Sequence, residues 1–144
     1  GEMRVVVDAN IAVALFVNLQ WSEAARSQMG EWTANMVDLW APMLWQYEVT
    51  SAIRKSMVGG LLTPDDAAAA LDALWKLRLN MMYPDRDLNR AACDWAGRLN
   101  QVAAYDAAYV AVAERLNAEL WTADKRLAGA CRRAGLEWVY ELSW

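Results

Sequence analysis

Four acidic residues occupy positions in this sequence where a carboxylate can bind a ligand or take part in catalysis, rather than only being solvated at the surface. Asp8 directly follows the valine run 5–7, Asp106 opens the stretch DAAYVAVAERL, and Asp124 follows the apolar stretch ELWTA. Glu48 lies within the stretch MLWQYEVTSAIRK, next to the apolar Val49. Carboxylates that a fold brings together repel one another, and a hard divalent cation such as Mg²⁺ or Mn²⁺ relieves that repulsion. Oxygen-bound ions of this kind suit the chemistry of phosphate groups.

Each of these acids also has a purely structural interpretation. Asp8, Asp106 and Asp124 could each cap the helix that follows, because Asp is a preferred residue at that position. Glu48 is harder to explain in this way, since a glutamate beside an apolar stripe is seldom buried without a partner. Three caps and a half-buried glutamate at one edge of a sheet would be a coincidence. We therefore expect the four carboxylates to form one site.

The composition narrows the chemistry open to such a site. The 144 residues include no histidine, which excludes a Ser-His-Asp triad and a Cys-His pair. The two cysteines, Cys93 and Cys131, lack the spacing of a disulfide framework or a zinc site, which favours a reduced, cytoplasmic setting. No apolar run approaches the ~18 residues of a membrane span, and no signal peptide is recognisable. We expect no membrane association.

Hydrophobic periodicity predicts strands that alternate with helices. The predicted strands cover residues 5–7, 37–42, 80–84, 119–123 and 137–142. The predicted helices cover residues 10–17, 21–32, 43–60, 63–77, 88–99, 105–118 and 124–135. Ser22 and Thr63 are expected to cap the second and the fourth of these helices.

This alternation predicts an α/β fold with three layers, in which a central, mostly parallel sheet lies between helices. A single domain is expected to cover residues 3–144, whereas Gly1 and Glu2 are interpreted as a cloning remnant outside it. Right-handed crossovers bring the carboxyl ends of parallel strands to one edge of the sheet. The four acids follow strands or begin helices, and we expect them to meet at that edge.

Four short motifs, taken in order, resemble those of the PIN-domain ribonucleases, and most of all the VapC-like toxins of toxin–antitoxin pairs. The motifs are VVDAN, YEVTSAIRK, YDAAYVAVAERL and LWTADKRL, and the resemblance extends over residues 3–142. It implies a PIN-like fold and a metal-dependent endoribonuclease that uses Mg²⁺ or Mn²⁺. The catalytic residues and metal ligands implied by the resemblance are Asp8, Glu48, Asp106 and Asp124. It also implies supporting roles for Asn10, near the first acid, and for Thr122, near the last.

The resemblance further implies three partners, namely an RNA substrate, a cognate antitoxin and a second copy of the chain in a homodimer. The nine tryptophans give weak independent support to an interface, where tryptophan is enriched. The net charge of −4 departs from the basic surface that a nuclease offers to phosphates, although the four acids account for part of it. The candidate phosphate contacts are Arg54, Lys55, Lys125 and Arg126, and solvated surface charge explains each of them equally well.

Two other functions stay open at this point. The stretch TADK is similar to the end of a phosphoacceptor receiver domain, but a receiver needs an acid pair after its first strand, and Asp8 is followed by Ala9. The second alternative is a PIN-like module that binds a partner without catalysis. The intact set of four acids argues against it, because a site without activity has no reason to hold repelling carboxylates together.

Overall fold

The computed structural model describes residues 3–144, so the expectation for Gly1 and Glu2 lies outside the described residues. Strands and helices alternate along most of the chain, close to the predicted bounds. The strands are β1 (Arg4–Val7), β2 (Asp38–Pro42), β3 (Leu79–Met82), β4 (Glu119–Thr122) and β5 (Val139–Glu141). The helices are α1 (Ala9–Phe16), α2 (Ser22–Ala34), α3 (Leu44–Val58), α4 (Pro64–Leu74), α5 (Arg86–Arg98), α6 (Tyr105–Leu116) and α7 (Lys125–Arg133).

The strands form one sheet in the order β3-β2-β1-β4-β5, and each neighbouring pair is parallel. The three-layer α/β/α prediction is therefore confirmed. The order also excludes the receiver alternative, because the first strand of a receiver lies between the second and third. Here β1 lies between β2 and β4. The strands that follow β1 are thus added first on one side of it, as β2 and β3, and later on the other side, as β4 and β5. In open parallel sheets, ligands bind at the carboxyl ends of the strands where the order reverses in this way, which here is between β1 and β4.

The sheet is covered by apolar residues on both faces, as the unbroken valine run of β1 predicts. Val6 belongs to a core that includes the buried stripe of α3 (Trp45, Val49 and Ile53) and the middle of α6. Val5 and Val7 belong to the opposite core, where α1 and α2 pack. Because β1 is buried on both faces, its carboxyl end is the place where a polar side chain can leave the core.

Two predicted helix starts have different outcomes. Thr63 caps α4 as predicted, and it forms a capping box in which its side chain accepts from the Asp66 N–H. The prediction for Ser22 is wrong, since Trp21 occupies the cap position of α2. The Ser22 hydroxyl instead accepts from the Leu19 N–H and donates to the Val17 carbonyl, so it fixes the loop before the helix.

No helix within residues 3–144 is both long enough and apolar enough to cross a membrane.

Candidate active site

The four acids predicted from the sequence line a single cavity of about 320 Å³ at the carboxyl edge of the sheet. We call it the acidic cavity. Asp8 follows β1 and Asp124 lies just beyond β4, so the cavity opens at the reversal point between these strands. Glu48 reaches it from α3 and Asp106 from the first turn of α6. The parallel topology therefore brings together four residues that are far apart in the sequence.

The Asp8 carboxylate is held by two polar side chains. The Thr122 hydroxyl donates to Asp8 Oδ2 over 2.8 Å, and Asn10 Nδ2 lies 3.3 Å from the same oxygen. Asn10 Nδ2 also lies 3.2 Å from Thr122 Oγ1, while its Oδ1 accepts from the Ala123 N–H. Asp8 occupies the position before α1, but its side chain forms no cap hydrogen bond there. The cap interpretation is therefore wrong for Asp8.

Glu48 has a partner that the sequence analysis did not identify. The hydroxyl of Tyr109 donates to Glu48 Oε1 over 2.6 Å, and the Tyr109 ring is fully buried in the core. Burial, together with the charges of Asp8 and Glu48, raises the pKa of Tyr109 well above its usual value, so the phenol keeps its proton. Tyr109 comes three residues after Asp106, on the same face of α6. From this spacing, the sequence could have indicated that Tyr109 points toward the same site as Asp106.

Asp106 is also no helix cap. It is the second residue of α6, whose cap position is Ala104, and its carboxylate accepts from Gln101 Nε2 over 3.3 Å. Gln101 lies in the loop before α6 and is the second partner that sequence reasoning missed. Nothing in the local pattern distinguishes this glutamine from a surface residue, because its role depends on how the loop folds back.

Asp124 is different, because the cap interpretation is correct for it. Its Oδ1 accepts from the backbone N–H groups of Arg126 and Leu127, over 2.9 and 3.2 Å. Its own N–H donates to Thr122 Oγ1 over 3.0 Å. One hydroxyl, that of Thr122, thus contacts both the Asp8 carboxylate and the backbone of Asp124. Asp124 caps α7 and also lines the acidic cavity.

The cavity disfavours negative charge on three of its acids. The pKa of Asp8 is raised to about 7, mainly by burial and also by the charges of Asp106 and Glu48, against the opposing hydrogen bond from Thr122. Burial also raises the pKa values of Glu48 and Asp106. The neighbouring charge of Asp106 adds to the effect at Glu48, and that of Asp124 adds to it at Asp106.

The carboxylates surround the cavity without meeting at one point. Among residues 3–144, no three Asp, Glu or Cys side chains are grouped closely enough to hold an ion as they stand. The acids line one cavity, and the charges of neighbouring acids help to raise the pKa values of Asp8, Glu48 and Asp106.

The four residues predicted to contact phosphates do not lie together in the structure. Arg126 lines a larger cavity of about 760 Å³, which Glu48 and Asp106 also line. The Lys125 ammonium lies over the ring of Trp144, 4.3 Å from its centroid. Arg54 and Lys55 are exposed on α3 and line neither cavity. The structure brings Arg126 to the acids and leaves Arg54 and Lys55 away from them.

Comparisons with known proteins identify the family to which the chain is similar. The family model of the PIN domain matches residues 5–133. Ribonuclease VapC3 of Pyrobaculum aerophilum is 34% identical over 127 residues, which cover 88% of this chain and 93% of that protein. Ribonuclease VapC1 of Mycobacterium tuberculosis is 40% identical over 90 residues, which cover 62% of this chain and 65% of that protein.

Solved structures share the fold at low sequence identity. VapBC2 from Rickettsia felis, bound to a DNA fragment from its promoter, matches with a TM-score of 0.71 and 14% identity, over 98% of this chain and 100% of that one. Mycobacterium tuberculosis VapC20, a toxin that cleaves the sarcin-ricin loop, matches with a TM-score of 0.68 and 16% identity. That match covers 88% of this chain and 94% of that one.

Proposed function

The chain belongs to the PIN domain family, and from that premise we propose that it is an endoribonuclease that depends on Mg²⁺ or Mn²⁺. The observation that supports this proposal is the acidic cavity, which is lined by four carboxylates from separate parts of the chain at the edge between β1 and β4. The names of the curated relatives, both ribonucleases, support the choice of RNA as the substrate.

The residues of the acidic cavity fit a hard divalent cation. They offer carboxylate oxygens, which Mg²⁺ and Mn²⁺ prefer. After burial, the charges of neighbouring acids contribute to the raised pKa values of Asp8, Glu48 and Asp106, and a bound cation would offset that contribution. We assign the ion to Asp8, Glu48, Asp106 and Asp124. When bound, such an ion lowers the pKa of a coordinated water and offsets the charge that develops on a phosphodiester during hydrolysis.

Neighbouring side chains orient three of the carboxylates that we assign to the ion. Thr122 and Asn10 hold Asp8 in one orientation, and the protonated Tyr109 holds Glu48. Gln101 does the same for Asp106. The chain has no histidine, so a reaction that needs no imidazole base suits it.

We further propose that the protein is the toxin of a toxin–antitoxin pair. The support is the VapC name of its curated relatives, together with the shared fold of a VapBC complex. A cognate antitoxin is then the expected protein partner. The homodimer and the cytoplasmic location remain predictions from the sequence.

The test is the cutting of a labelled single-stranded RNA by the wild type and by Asp8→Asn. We expect cutting only with Mg²⁺ or Mn²⁺, and none by Asp8→Asn, although this variant stays folded by circular dichroism. Asp72→Asn, at an exposed position of α4, is the matched control and should cut like the wild type. Full cutting in excess chelator would contradict the metal dependence. RNA binding without any cutting by the wild type would instead favour the non-catalytic module.

A further inference from the structure

The larger cavity next to the acidic cavity is lined by basic side chains as well as by acids. Glu48 and Asp106 line both cavities, so the two adjoin. Three arginines line the larger one, Arg98 at the end of α5 and Arg126 and Arg133 on α7. We call it the arginine cavity. Three guanidinium groups gathered here contrast with a chain whose net charge is −4.

Arg126 lies close enough to Asp106 for its charge to oppose the rise in the pKa of that carboxyl, whereas the other two arginines are available to a ligand. The guanidinium of Arg98 stacks on the ring of Trp95, 3.8 Å from its centroid, which holds it in place without using its hydrogen-bond donors on a carboxylate. Within residues 3–144, neither Arg98 nor Arg133 forms an ion pair. Arg115 is a contrasting case, since it makes two hydrogen bonds to Asp85 over 2.7 and 2.8 Å and thereby ties α6 to the start of α5.

The loop between α5 and α6 supplies the remaining wall of the arginine cavity. Tyr105, the first residue of α6, is 68% exposed and precedes Asp106 directly. Val102, in the same loop, is fully exposed. An exposed aromatic ring next to a basic cavity can stack on an unpaired nucleobase, whereas a base within a duplex is already stacked on its neighbours.

We propose that the arginine cavity binds the single-stranded part of the RNA that flanks the bond to be cut. The three arginines contact its phosphates, and Tyr105 stacks on an unpaired base. This inference rests on the proposed function, because it takes the acids that the two cavities share as the cutting site. It explains how an acidic protein attracts a polyanion, since the positive charge lies where the strand must enter rather than over the whole surface.

The test compares two double variants that change the net charge equally. Arg98→Gln with Arg133→Gln removes two arginines from the cavity. Arg90→Gln with Arg132→Gln is the control, since both residues are exposed on the same two helices and lie outside the cavity. Binding to a fluorescein-labelled, mixed-sequence single-stranded RNA is measured in chelator, so that no cutting interferes.

We expect the cavity pair to weaken RNA binding at least tenfold and the control pair less than threefold. The slope of log affinity against log salt should fall by about 1.4 for the cavity pair, since each phosphate contact to a single strand contributes about 0.7. In Mg²⁺, the cavity pair should raise KM with little change in kcat, as expected when binding rather than chemistry is lost. Equal weakening by both pairs would overturn the inference.

Two further variants keep the test decisive. Arg133→Gln alone replaces the double variant if loss of the Arg98–Trp95 contact prevents folding, and it should still weaken binding severalfold. Tyr105→Ala should reduce the preference for single-stranded RNA over a duplex of the same sequence, and an unchanged preference would overturn the stacking role.

A wild type that binds RNA through the arginines but cuts nothing would contradict the proposed function and leave the RNA-binding role of the arginine cavity in place. A wild type that cuts, with equal KM for both pairs, would defeat the binding site alone.

Discussion

At the scale of single residues, the Asp8 carboxyl is the group whose ionisation the fold opposes most clearly. It is buried behind Thr122 and Asn10, and the charges of Glu48 and Asp106 act on it from across the acidic cavity. Its pKa of about 7 means that the folded protein holds a proton that the unfolded chain releases near pH 3.8. Ionisation of Asp8 near neutral pH therefore weakens the fold when nothing neutralises the cavity.

This proton predicts a pH dependence of stability. Below pH 3.8 the carboxyl is protonated in both states, so its ionisation does not affect stability, and the folded state loses stability as the pH rises from there to about 7. The loss corresponds to at most about 4 kcal/mol. Glu48 and Asp106 act in the same direction, since their pKa values are also raised. We therefore expect the melting temperature, measured in chelator, to decrease as the pH is raised from 5 to 8.

Two variants, Asp8→Asn and Asp72→Asn, test whether Asp8 causes this pH dependence of stability. Asp8→Asn should flatten the fall in the midpoint and be more stable than the wild type at pH 8. Asp72→Asn, which alters an exposed carboxylate, should keep the slope of the wild type. A midpoint that rises with pH over this range would show that the Asp8 carboxyl is ionised at little cost in the folded protein.

At the scale of elements, Asp124 joins a helix start to the acidic cavity, and the two roles can be separated. Asn caps helices about as well as Asp, so Asp124→Asn should keep the hydrogen bonds to the first turn of α7 while it removes the charge from the cavity. We expect the melting temperature to stay within about 2 °C of the wild-type value and RNA cutting to be lost. Asp124→Ala should lose cutting and also about 1 kcal/mol of stability. Full cutting by Asp124→Asn would assign this residue to the cap alone.

The sequence predicted most of the strands and helices, and it predicted that the four acids lie at one edge of the sheet, because the topology of a parallel sheet limits where they can lie. All strands of a parallel sheet run in the same direction, so their carboxyl ends share one edge, and the pairing of β1 with β4 then brings Asp8 and Asp124 close together. Tyr109 and Gln101 were missed because their partners depend on the rotation of α6 against α3 and on the path of one loop. Ser22 was misassigned because its hydroxyl had two ways to satisfy backbone groups, and the pattern does not choose between them.

At the scale of the whole molecule, a bound ion should stabilise the fold. A ligand that binds only the folded state adds about 2.7 kcal/mol at a hundredfold excess over its Kd, which raises the melting temperature by several degrees for a chain of this length. We expect this rise in a Mn²⁺ titration at pH 7.5. Asp106→Asn should raise the midpoint without metal, because it removes one repelling charge, and should cancel most of the metal effect. A flat titration up to ~10 mM would count heavily against an ion in the acidic cavity.

The hydrogen bond between Thr122 and Asp8 joins residues 114 positions apart, and β4 completes the pairing of β1 from the late part of the chain. During synthesis, the first strand therefore emerges long before its second neighbour exists. Until residues 119–124 have been made, β1 has an open edge on that side, and the acidic cavity lacks Asp124 and the hydroxyl that holds Asp8. The proposed nuclease site is therefore incomplete in the nascent chain until these residues have been made. A premature stop before residue 119 should yield an aggregation-prone fragment rather than a weakened enzyme.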